Sequence, residues 1–463
     1  MQIKSVRIRS KCNALRSFPN AYVHKSLVPE KRHTLTRASV LSDTPNSSCI
    51  LREKALEYES DKAGIERVKY VPDGWSFWSW KGMKVHYAQA GRKGDPVVLL
   101  IHGYGASLYH CYIVMEPLCI TGKQLHCYGA SLYHWRYQFK ALSDAGFQVF
   151  ALDLIGFGLS EKALIDYSNG KPWIDEISSF IQEVIGDSPV TLVGNSLGAY
   201  AALAAAAAIP EQIRGIAMLN GAGPLRGVNQ PAPDDPSTLG QLKKSILRAV
   251  KRVSMYFGFL WAKQPLRIKQ VLDLVYAFKD QIDEELVQSI VVPAMDPAAS
   301  EVFFRVSDMR GEPVYVDDLL AAIQGMPLLL LWGDSDPWMV PDRAFKLKSL
   351  YPQADLKLIA SGHCPHDDTP ALANEELLVW MKGISKSRDG LAEGLQMNRP
   401  SLGGALPCPV SSVGQGRDSF AYNAPFYPQS ASAVTAALTV ASLGVSVSRR
   451  NILYTIFLQI QVH

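Results

Sequence analysis

The sequence predicts an α/β fold, in which a mostly parallel, twisted sheet is covered by helices and carries an inserted helical cap. Short apolar runs rich in Val, Ile and Leu alternate with helical patterns through the middle of the chain. The runs are continuous rather than alternating with polar residues, which is typical of parallel strands buried on both faces. Residues 221–324 interrupt this alternation with Gly- and Pro-rich sequence and then amphipathic helices, and the interruption predicts the cap. Strands that alternate with helices also imply right-handed crossovers.

The strands follow in order after a polar linker that reaches about Asp73. Trp75–Trp80 and Met83–Ala90 predict a hairpin joined by a Lys-Gly turn. The continuous apolar strands are predicted at Val97–Ile101, Val149–Leu152, Val190–Val193, Ile213–Leu219, Leu328–Leu331 and Leu356–Ile359. We therefore expect one folded domain over residues 74–386.

The two ends of the chain differ from this pattern. The first forty residues carry nine Lys and Arg against one acid, Glu30, with several Ser and Thr. This bias predicts a plastid transit peptide and linker within residues 1–48, cleavage near Ala38, and hence a chloroplast location; a disordered basic tail is the alternative. Residues 387–463 are rich in Gly, Ser, Ala and Pro and are expected to be disordered, and their apolar pieces are too short to span a membrane.

A local duplication interrupts the domain. The heptad YGASLYH occurs at Tyr104–His110 and again at Tyr128–His134. Two copies are too few for a repeat architecture, so we interpret residues 111–134 as an anomalous insertion from a duplication or a displaced exon boundary. Removing one copy with the spacer restores HGYGASLYHWRYQF, a continuous passage from strand to loop to helix.

Composition excludes several classes of protein. The chain has 463 residues, of which 48% are hydrophobic and 19% charged, as in soluble globular proteins. A net charge of +4 is too small to predict a nucleic-acid partner. Its seven cysteines show no CxxC pair, so neither a disulfide framework nor a metal site is expected.

A serine nucleophile is predicted by Gly194-Asn-Ser-Leu-Gly198, which fits G-x-S-x-G. In this motif the serine occupies a strained turn between a strand and a helix. The apolar run Val190–Val193 precedes it and the Ala-rich run Ala199–Ala208 follows it, so both elements are present. Gly194 and Gly198 let neighbouring backbone pass closely while Ser196 presents its hydroxyl.

The serine needs a base and an acid, which follow in the order Ser, acid, His when this motif is present. The last two predicted strands lead into Asp334 and Asp336, and into His363 and His366. We prefer Asp336 as the acid because Asp334 directly follows a Gly and is suited to cap the turn. We prefer His363 as the base because it directly follows a Gly, and we expect His366 to be a polar loop residue near the carboxylates that follow it.

Two backbone N–H groups are candidates for an oxyanion hole, which binds the negative oxygen of the reaction intermediate. The Leu197 N–H lies at a predicted helix N-terminus. Tyr104 follows the His102-Gly103 pair and supplies the second donor, with His102 packed beneath the loop. The predicted chemistry is nucleophilic ester hydrolysis, which requires no metal and no cofactor.

The motifs HGYGAS, DLIGFGLSEK, VGNSLGAY, WGDSDPW and SGHCPHDDTP together resemble the plant plastid α/β-hydrolases of the pheophytinase group. The resemblance covers about Trp75 to Met381, and GHCPHD is its most specific part. It implies the α/β-hydrolase fold, a chloroplast protein without cofactor, and cleavage of an ester of a long apolar alcohol, such as the phytyl ester of pheophytin or a related chlorophyll derivative. Ser196 in place of Asp separates the chain from dehalogenase and epoxide-hydrolase relatives.

One helix of the predicted cap, Leu242–Phe257, is amphipathic. Its basic side carries Lys243, Lys244, Arg248, Lys251 and Arg252. Its other side carries Leu242, Ile246, Val250 and Val253. We expect the basic side to be solvated, and peripheral contact with an anionic thylakoid membrane is the alternative. Apolar cap residues are expected either to line an acyl pocket or to pack between cap and core: Met255, Phe257, Phe259 and Trp261.

The sequence thus predicts a serine hydrolase that cleaves a carboxylic ester of a hydrophobic small molecule. A general plastid lipid or short-chain esterase is the neighbouring alternative. A non-catalytic protein of the same fold, disabled by the insertion at 111–134, is the alternative from another class.

Overall fold

The computed structural model describes residues 50–104, 129–227, 238–308 and 314–397, with the main chain alone for 238–240, 242–244 and 385–397. The predicted transit peptide, the first YGASLYH copy beyond Tyr104 and the tail from residue 398 lie outside these residues. Within the described ranges, none of the helices has the length and apolar character needed to cross a membrane.

The strands run through the chain much as the apolar runs predict. They are β1 (Ile50–Arg52), β2 (Tyr58–Ser60), β3 (Glu66–Val68), β4 (Ser76–Trp80), β5 (Met83–Ala90), β6 (Val97–Ile101), β7 (Gln148–Leu152), β8 (Val190–Asn195), β9 (Ile213–Leu219), β10 (Leu328–Gly333) and β11 (Asp355–Ile359). One sheet has the order β1-β4-β5-β7-β6-β8-β9-β10-β11. From β7 to β11 in this order all pairs are parallel, while β1, β4 and β5 form an antiparallel edge.

Helices connect the parallel strands and cover both faces. They are α1 (Gln138–Asp144), α2 (Lys171–Phe180), α3 (Leu197–Ala208), α4 (Thr238–Ala262), α5 (Pro265–Val275), α6 (Glu284–Ala294), α7 (Ala299–Ser307), α8 (Val316–Ala322), α9 (Pro341–Leu350), α10 (Pro365–Asp368) and α11 (Pro370–Met397). Helices α4 to α8 lie between β9 and β10 in the chain. The predicted α/β architecture is confirmed.

The central strands send alternate side chains into two different cores, because side chains of a strand alternate between its faces. Leu99 and Ile101 of β6 join the core beneath α2 and α3. Val98 and Leu100 of the same strand join the core beneath α1 and α11. The largely Ala-built helix α3 is buried almost throughout, since its small side chains let it lie close to β8.

Three expectations about the edges of the fold are wrong. Residues 50–68 are not a linker: β1 pairs with β4, and β2 with β3. These three-residue strands are too short to show a hydrophobic period, so they could not be predicted from the sequence. Helix α11 continues to Met397, past the predicted domain end at 386. Strand β11 is mostly exposed rather than buried on both faces, because it lies at an edge of the described sheet, next to β10.

The cap helix α4 turns its apolar side outward. Large apolar side chains on this side are 43–64% exposed: Ile246, Val250, Val253, Phe257 and Trp261. On the opposite side, Arg248 pairs with Asp308 and Arg252 with Glu301, at α7. The basic side therefore forms ion pairs with neighbouring carboxylates, while its arginine side chains remain 43% and 56% exposed. Phe259 is buried and packs as expected, whereas Phe257 and Trp261 are exposed and lie outside the lining of the cavity at His363.

Candidate active site

Ser196 occupies a sharp turn between β8 and α3. Its φ of 54° and ψ of −117° fall in a region that residues other than glycine rarely adopt. Its N–H donates to Leu219 O on β9 at 2.9 Å. A Cβ on Gly194 would lie 2.4 Å from Gly198 O, and one on Gly198 would lie 2.3 Å from Ile101 O. Both glycines are thus required by close backbone contacts, and the turn has the strained geometry of a nucleophile elbow.

The loop after β6 lies against this turn. A Cβ on Gly103 would lie 3.0 Å from Ser196 Cβ. Tyr104 follows it and is 4% exposed, with its ring centroid 5.0 Å from that of Phe157. The two residues predicted to donate N–H groups to an oxyanion, Tyr104 and Leu197, therefore lie on the two segments that meet at the serine.

Buried polar groups anchor the loop from below. His102 Nε2 accepts the Leu154 N–H at 3.0 Å, which places this histidine beneath the loop. Asp153 accepts the Leu132 N–H at 2.6 Å and bonds His86 Nδ1 at 2.6 Å. Burial raises the pKa of Asp153, but His86 and the backbone N–H outweigh it and hold the pKa at about 2. The second YGASLYH copy is thereby attached to the end of β7.

The two side chains predicted as acid and base meet at the carboxyl ends of β10 and β11. His363 Nδ1 lies 2.7 Å from Asp336 Oδ2, and both side chains are buried. Asp336 Oδ1 also accepts the Trp338 N–H at 2.7 Å. Burial raises the pKa of Asp336, but His363 and the hydrogen bonds outweigh it, so the pKa lies below its usual value. Asp334 is exposed and accepts the Ser335 hydroxyl, so the structure places Asp336, not Asp334, against the histidine.

Two asparagines that the sequence analysis missed tie these parts together. Asn220 Nδ2 donates to Asp336 Oδ2 at 2.6 Å, on the oxygen that faces the histidine. Asn195 Nδ2 donates to His363 O at 2.9 Å, so the residue before Ser196 holds the main chain of His363. Both asparagines lie where a parallel strand ends, and this position is the sequence signal that could have identified them as site residues.

The histidine loop is fastened to the cap. Asp368 accepts the Gly362 N–H at 2.6 Å and the N–H groups of residues 277 and 278 at 2.9 and 2.8 Å. The His363 N–H donates to Val275 O, at the end of α5, at 2.8 Å. The backbone position of His363 thus depends on the end of α5 and the segment that follows it.

A buried ion network continues this attachment. Arg136 is fully buried, and its Nε donates to Asp367 Oδ1 at 2.7 Å while a terminal nitrogen donates to Asp283 Oδ2 at 2.6 Å. The Tyr276 hydroxyl donates to Asp367 at 2.7 Å, and Arg67 pairs with Asp283. This network therefore joins three parts of the chain: the segment after the duplicated heptad, the cap and the histidine loop.

His366 differs from its predicted role. It is 1% exposed, and its ring stacks on Trp135 with centroids 4.0 Å apart. Burial lowers its pKa well below the usual value. The expectation of a polar loop residue near the following carboxylates is wrong, because those carboxylates turn toward the cap instead.

A small cavity lies between this site and the cap. Its lining consists of Gly103, Tyr104, Gly129, Ala130, His134, Asn195, Val271, Leu272, Val275, Ile290, Trp338, His363 and Cys364. Ser196 itself is 1% exposed and is not among the lining residues, although its neighbour Asn195 is. Among the described residues, no group of His, Cys, Asp and Glu side chains is arranged to hold a metal ion.

Comparisons with known proteins agree on one fold. The profile of the family described as alpha/beta hydrolase fold matches residues 124–370. The chain is similar to chloroplastic pheophytinase of Arabidopsis thaliana, with 27% identity over 66% of this chain and 66% of that protein's length, slightly under two thirds. It is also similar to Lipase 1 of Psychrobacter immobilis (22% identity, 70% of this chain, 87% of the relative). A third relative is Epoxide hydrolase 4 of Homo sapiens (21% identity, 66% of this chain, 78% of the relative).

Proposed function

The chain belongs to the α/β-hydrolase family, and we propose that it is a serine hydrolase that cleaves a carboxylic ester of a hydrophobic substrate. The contact of 2.7 Å between Asp336 and His363 carries this proposal, together with the strained turn at Ser196, whose neighbour Asn195 donates to His363 O. Ser196, Asp336 and His363 follow one another as nucleophile, acid and base, which is the chain order that this fold uses. The similarity to a lipase and to pheophytinase supports an ester as the substrate.

The mechanism follows from these roles. His363 takes the Ser196 proton, the serine oxygen attacks the ester carbonyl, and the alcohol leaves with a proton from the histidine. Asp336 fixes the tautomer of His363 through Nδ1 and stabilises the imidazolium. The N–H groups of Tyr104 and Leu197 bind the oxyanion, and water then hydrolyses the acyl-enzyme.

A phytyl ester of pheophytin or of a related chlorophyll derivative is the substrate that we propose. The cavity beside His363 is bounded by apolar side chains of the cap, among them Val271, Leu272 and Ile290, which suit an apolar ester. The named relative in Arabidopsis is a chloroplastic pheophytinase. A chloroplast location, with residues 1–48 as transit peptide and linker, belongs to the same proposal.

A peripheral membrane contact through helix α4 is also part of the proposed function. Five large apolar side chains form a stripe on its exposed side, and the helix contains no Asp or Glu. Lys263, Arg267 and Lys269 follow directly, and the Arg267 guanidinium lies 4.3 Å from the Trp261 ring. An apolar, aromatic stripe beside unopposed basic residues suits a membrane surface with anionic headgroups. We therefore place a peripheral membrane contact at the α4 stripe, Ile246–Trp261, rather than at the basic side.

The decisive experiment measures phytol release from pheophytin by the protein without residues 1–38. Ser196→Ala should abolish release, whereas Ser289→Ala, which changes another buried serine in α6, should retain it. Cleavage of short-chain esters without phytol release would favour a general esterase. Activity that appears only after deletion of residues 105–128 would identify this chain as the disabled form. The proposal is contradicted if neither the protein without residues 1–38 nor the protein that also lacks residues 105–128 cleaves an ester.

A further inference from the structure

One polar side chain in the cavity has no role in the mechanism above. His134, the last residue of the second YGASLYH copy, is 3% exposed and lines the cavity together with His363. Its neighbours in the lining include the apolar side chains of Val271, Leu272 and Val275. A buried polar group in such surroundings requires a hydrogen-bond partner for each of its donors.

The tautomer of His134 is assigned from its contacts with Ser131, whose backbone N and O atoms both lie 3.3 Å from Nδ1. The Ser131 N–H lies 3.3 Å from Nδ1, in a reciprocal capping arrangement. The Ser131 carbonyl already accepts the His134 N–H at 3.1 Å. Because a buried N–H is rarely left unpaired, Nδ1 is assigned as the acceptor for Ser131. A neutral imidazole that accepts at Nδ1 carries its proton on Nε2.

The ring remains neutral at ordinary pH. Burial lowers its pKa to about 3, with further contributions from His102 and Arg136. His134 is therefore a donor at Nε2 and neither a cation nor a base. Within the described part of the chain, the hydrogen bonds of its ring all join Nδ1 to Ser131, which leaves the Nε2 proton for a ligand.

We propose that His134 Nε2–H binds a second carbonyl oxygen of the substrate, close to the scissile ester, so that the site selects oxo esters over plain alkyl esters. This inference rests on the proposed ester hydrolysis and specifies its substrate class. A buried donor that loses its partner disfavours the bound state, so an ester without this oxygen is discriminated against.

Two amide variants separate the two nitrogens of His134. His134→Asn can place its amide oxygen near the former Nδ1 and still accept the Ser131 N–H, but it has no atom at the ε position. His134→Gln can place its NH2 group near the former Nε2 but lacks the acceptor for Ser131. The first should lose substrate selection and the second should keep it, although the second loses the cap.

The substrates are 4-nitrophenyl esters of 4-, 5- and 6-oxoalkanoic acids, each paired with the analogue that has a methyl branch in place of the keto oxygen. We expect the wild-type protein to prefer one oxo ester in kcat/KM. The preference should fall about three- to tenfold in His134→Asn, as expected for one neutral hydrogen bond, and persist in His134→Gln. Thermal unfolding checks that both variants fold.

Two results would overturn the inference: plain and oxo esters cleaved equally by the wild type, or a preference that His134→Asn retains. If no ester is cleaved, the proposed function fails, and binding then decides the role of His134 alone. Calorimetry would compare the matched oxo and methyl-branched primary amides. Tighter binding of the oxo amide that is lost in His134→Asn supports the inference, and equal binding contradicts it.

Discussion

Asn220 positions the acid of the candidate triad from the end of β9. It donates to Asp336 Oδ2 at 2.6 Å while its own Oδ1 accepts the Gly333 N–H at 3.0 Å. We expect Asn220→Ala to lower kcat/KM by about ten- to hundredfold, since a hydrogen bond to a charged group contributes about 1.5–3 kcal/mol. The acid limb of the pH profile should move to higher pH, because the Asn220 donor stabilises the Asp336 carboxylate and its loss raises the pKa of that carboxyl. Steady-state kinetics between pH 3 and 9 measure both effects.

The control for Asn220 is another buried asparagine. Asn374 accepts a hydrogen bond from Gln138 at 2.9 Å and lies on α11, away from Asp336. Asn374→Ala should lower thermal stability without moving the pH profile. A profile that stays in place in Asn220→Ala, or moves equally in both variants, would show that Asn220 acts only on stability.

At the scale of elements, α4 offers a test of membrane contact. Val253→Glu with Phe257→Glu puts two charges on the exposed stripe, and their cost in a lipid interface should weaken binding to vesicles at least tenfold. The matched control places the same changes at Val379 and Phe345, which are similarly exposed (64% and 51%) on α11 and α9. Cosedimentation with vesicles that contain an anionic lipid measures binding.

Cleavage of a soluble short-chain ester by these α4 variants should remain at the wild-type rate, because the stripe lies outside the cavity lining. Equal vesicle binding by the stripe variant and its control would refute the contact. Binding that disappears in high salt for both proteins alike would assign the attraction to basic residues elsewhere.

The Arg136 network joins three elements and predicts a large loss of stability when it is broken. Arg136→Met leaves Asp367 buried without its main partner, and breaking a buried pair costs about 3–5 kcal/mol. Arg226→Met removes an exposed pair with Asp318 and should cost under about 1 kcal/mol. Urea unfolding compares the two variants. Similar losses in both would mean that water or another cation compensates Asp367.

Across the whole molecule, the sequence predicts those features that a short stretch of neighbouring residues determines. The G-x-S-x-G turn specifies its own geometry, and the apolar runs specify the parallel strands. Asn220 could not be assigned because its partner Asp336 is 116 positions away. The direction of α4 could not be assigned either, since a helical period distinguishes two faces without showing which one meets the protein. There, the carboxylates of Glu301 and Asp308 decide the orientation.

Buried ionisable groups throughout the domain set how its stability depends on pH. The pKa values of His102, His134 and His366 are lowered, chiefly by burial. Below about pH 6.5 the unfolded chain therefore binds protons at these histidines that the folded chain does not. The free energy of unfolding consequently decreases as the pH is lowered. Burial raises the pKa of Glu176 and of Asp367, so these carboxyls bind protons in the folded state and act in the opposite sense.

The unfolded chain binds protons at three histidines and the folded chain at two carboxyls. The histidines of the unfolded chain are almost fully protonated only below about pH 5.5, where the unfolded chain binds about one proton more. The free energy of unfolding should thus fall by about 1.4 kcal/mol per pH unit on acidification from about pH 5.5 to 4.5, measured by urea unfolding. Glu176→Gln removes one opposing group and should steepen the fall by about one proton, while its amide oxygen can still accept the Ile155 N–H. Stability that stays constant or rises on acidification would show that these histidines are protonated in the folded protein.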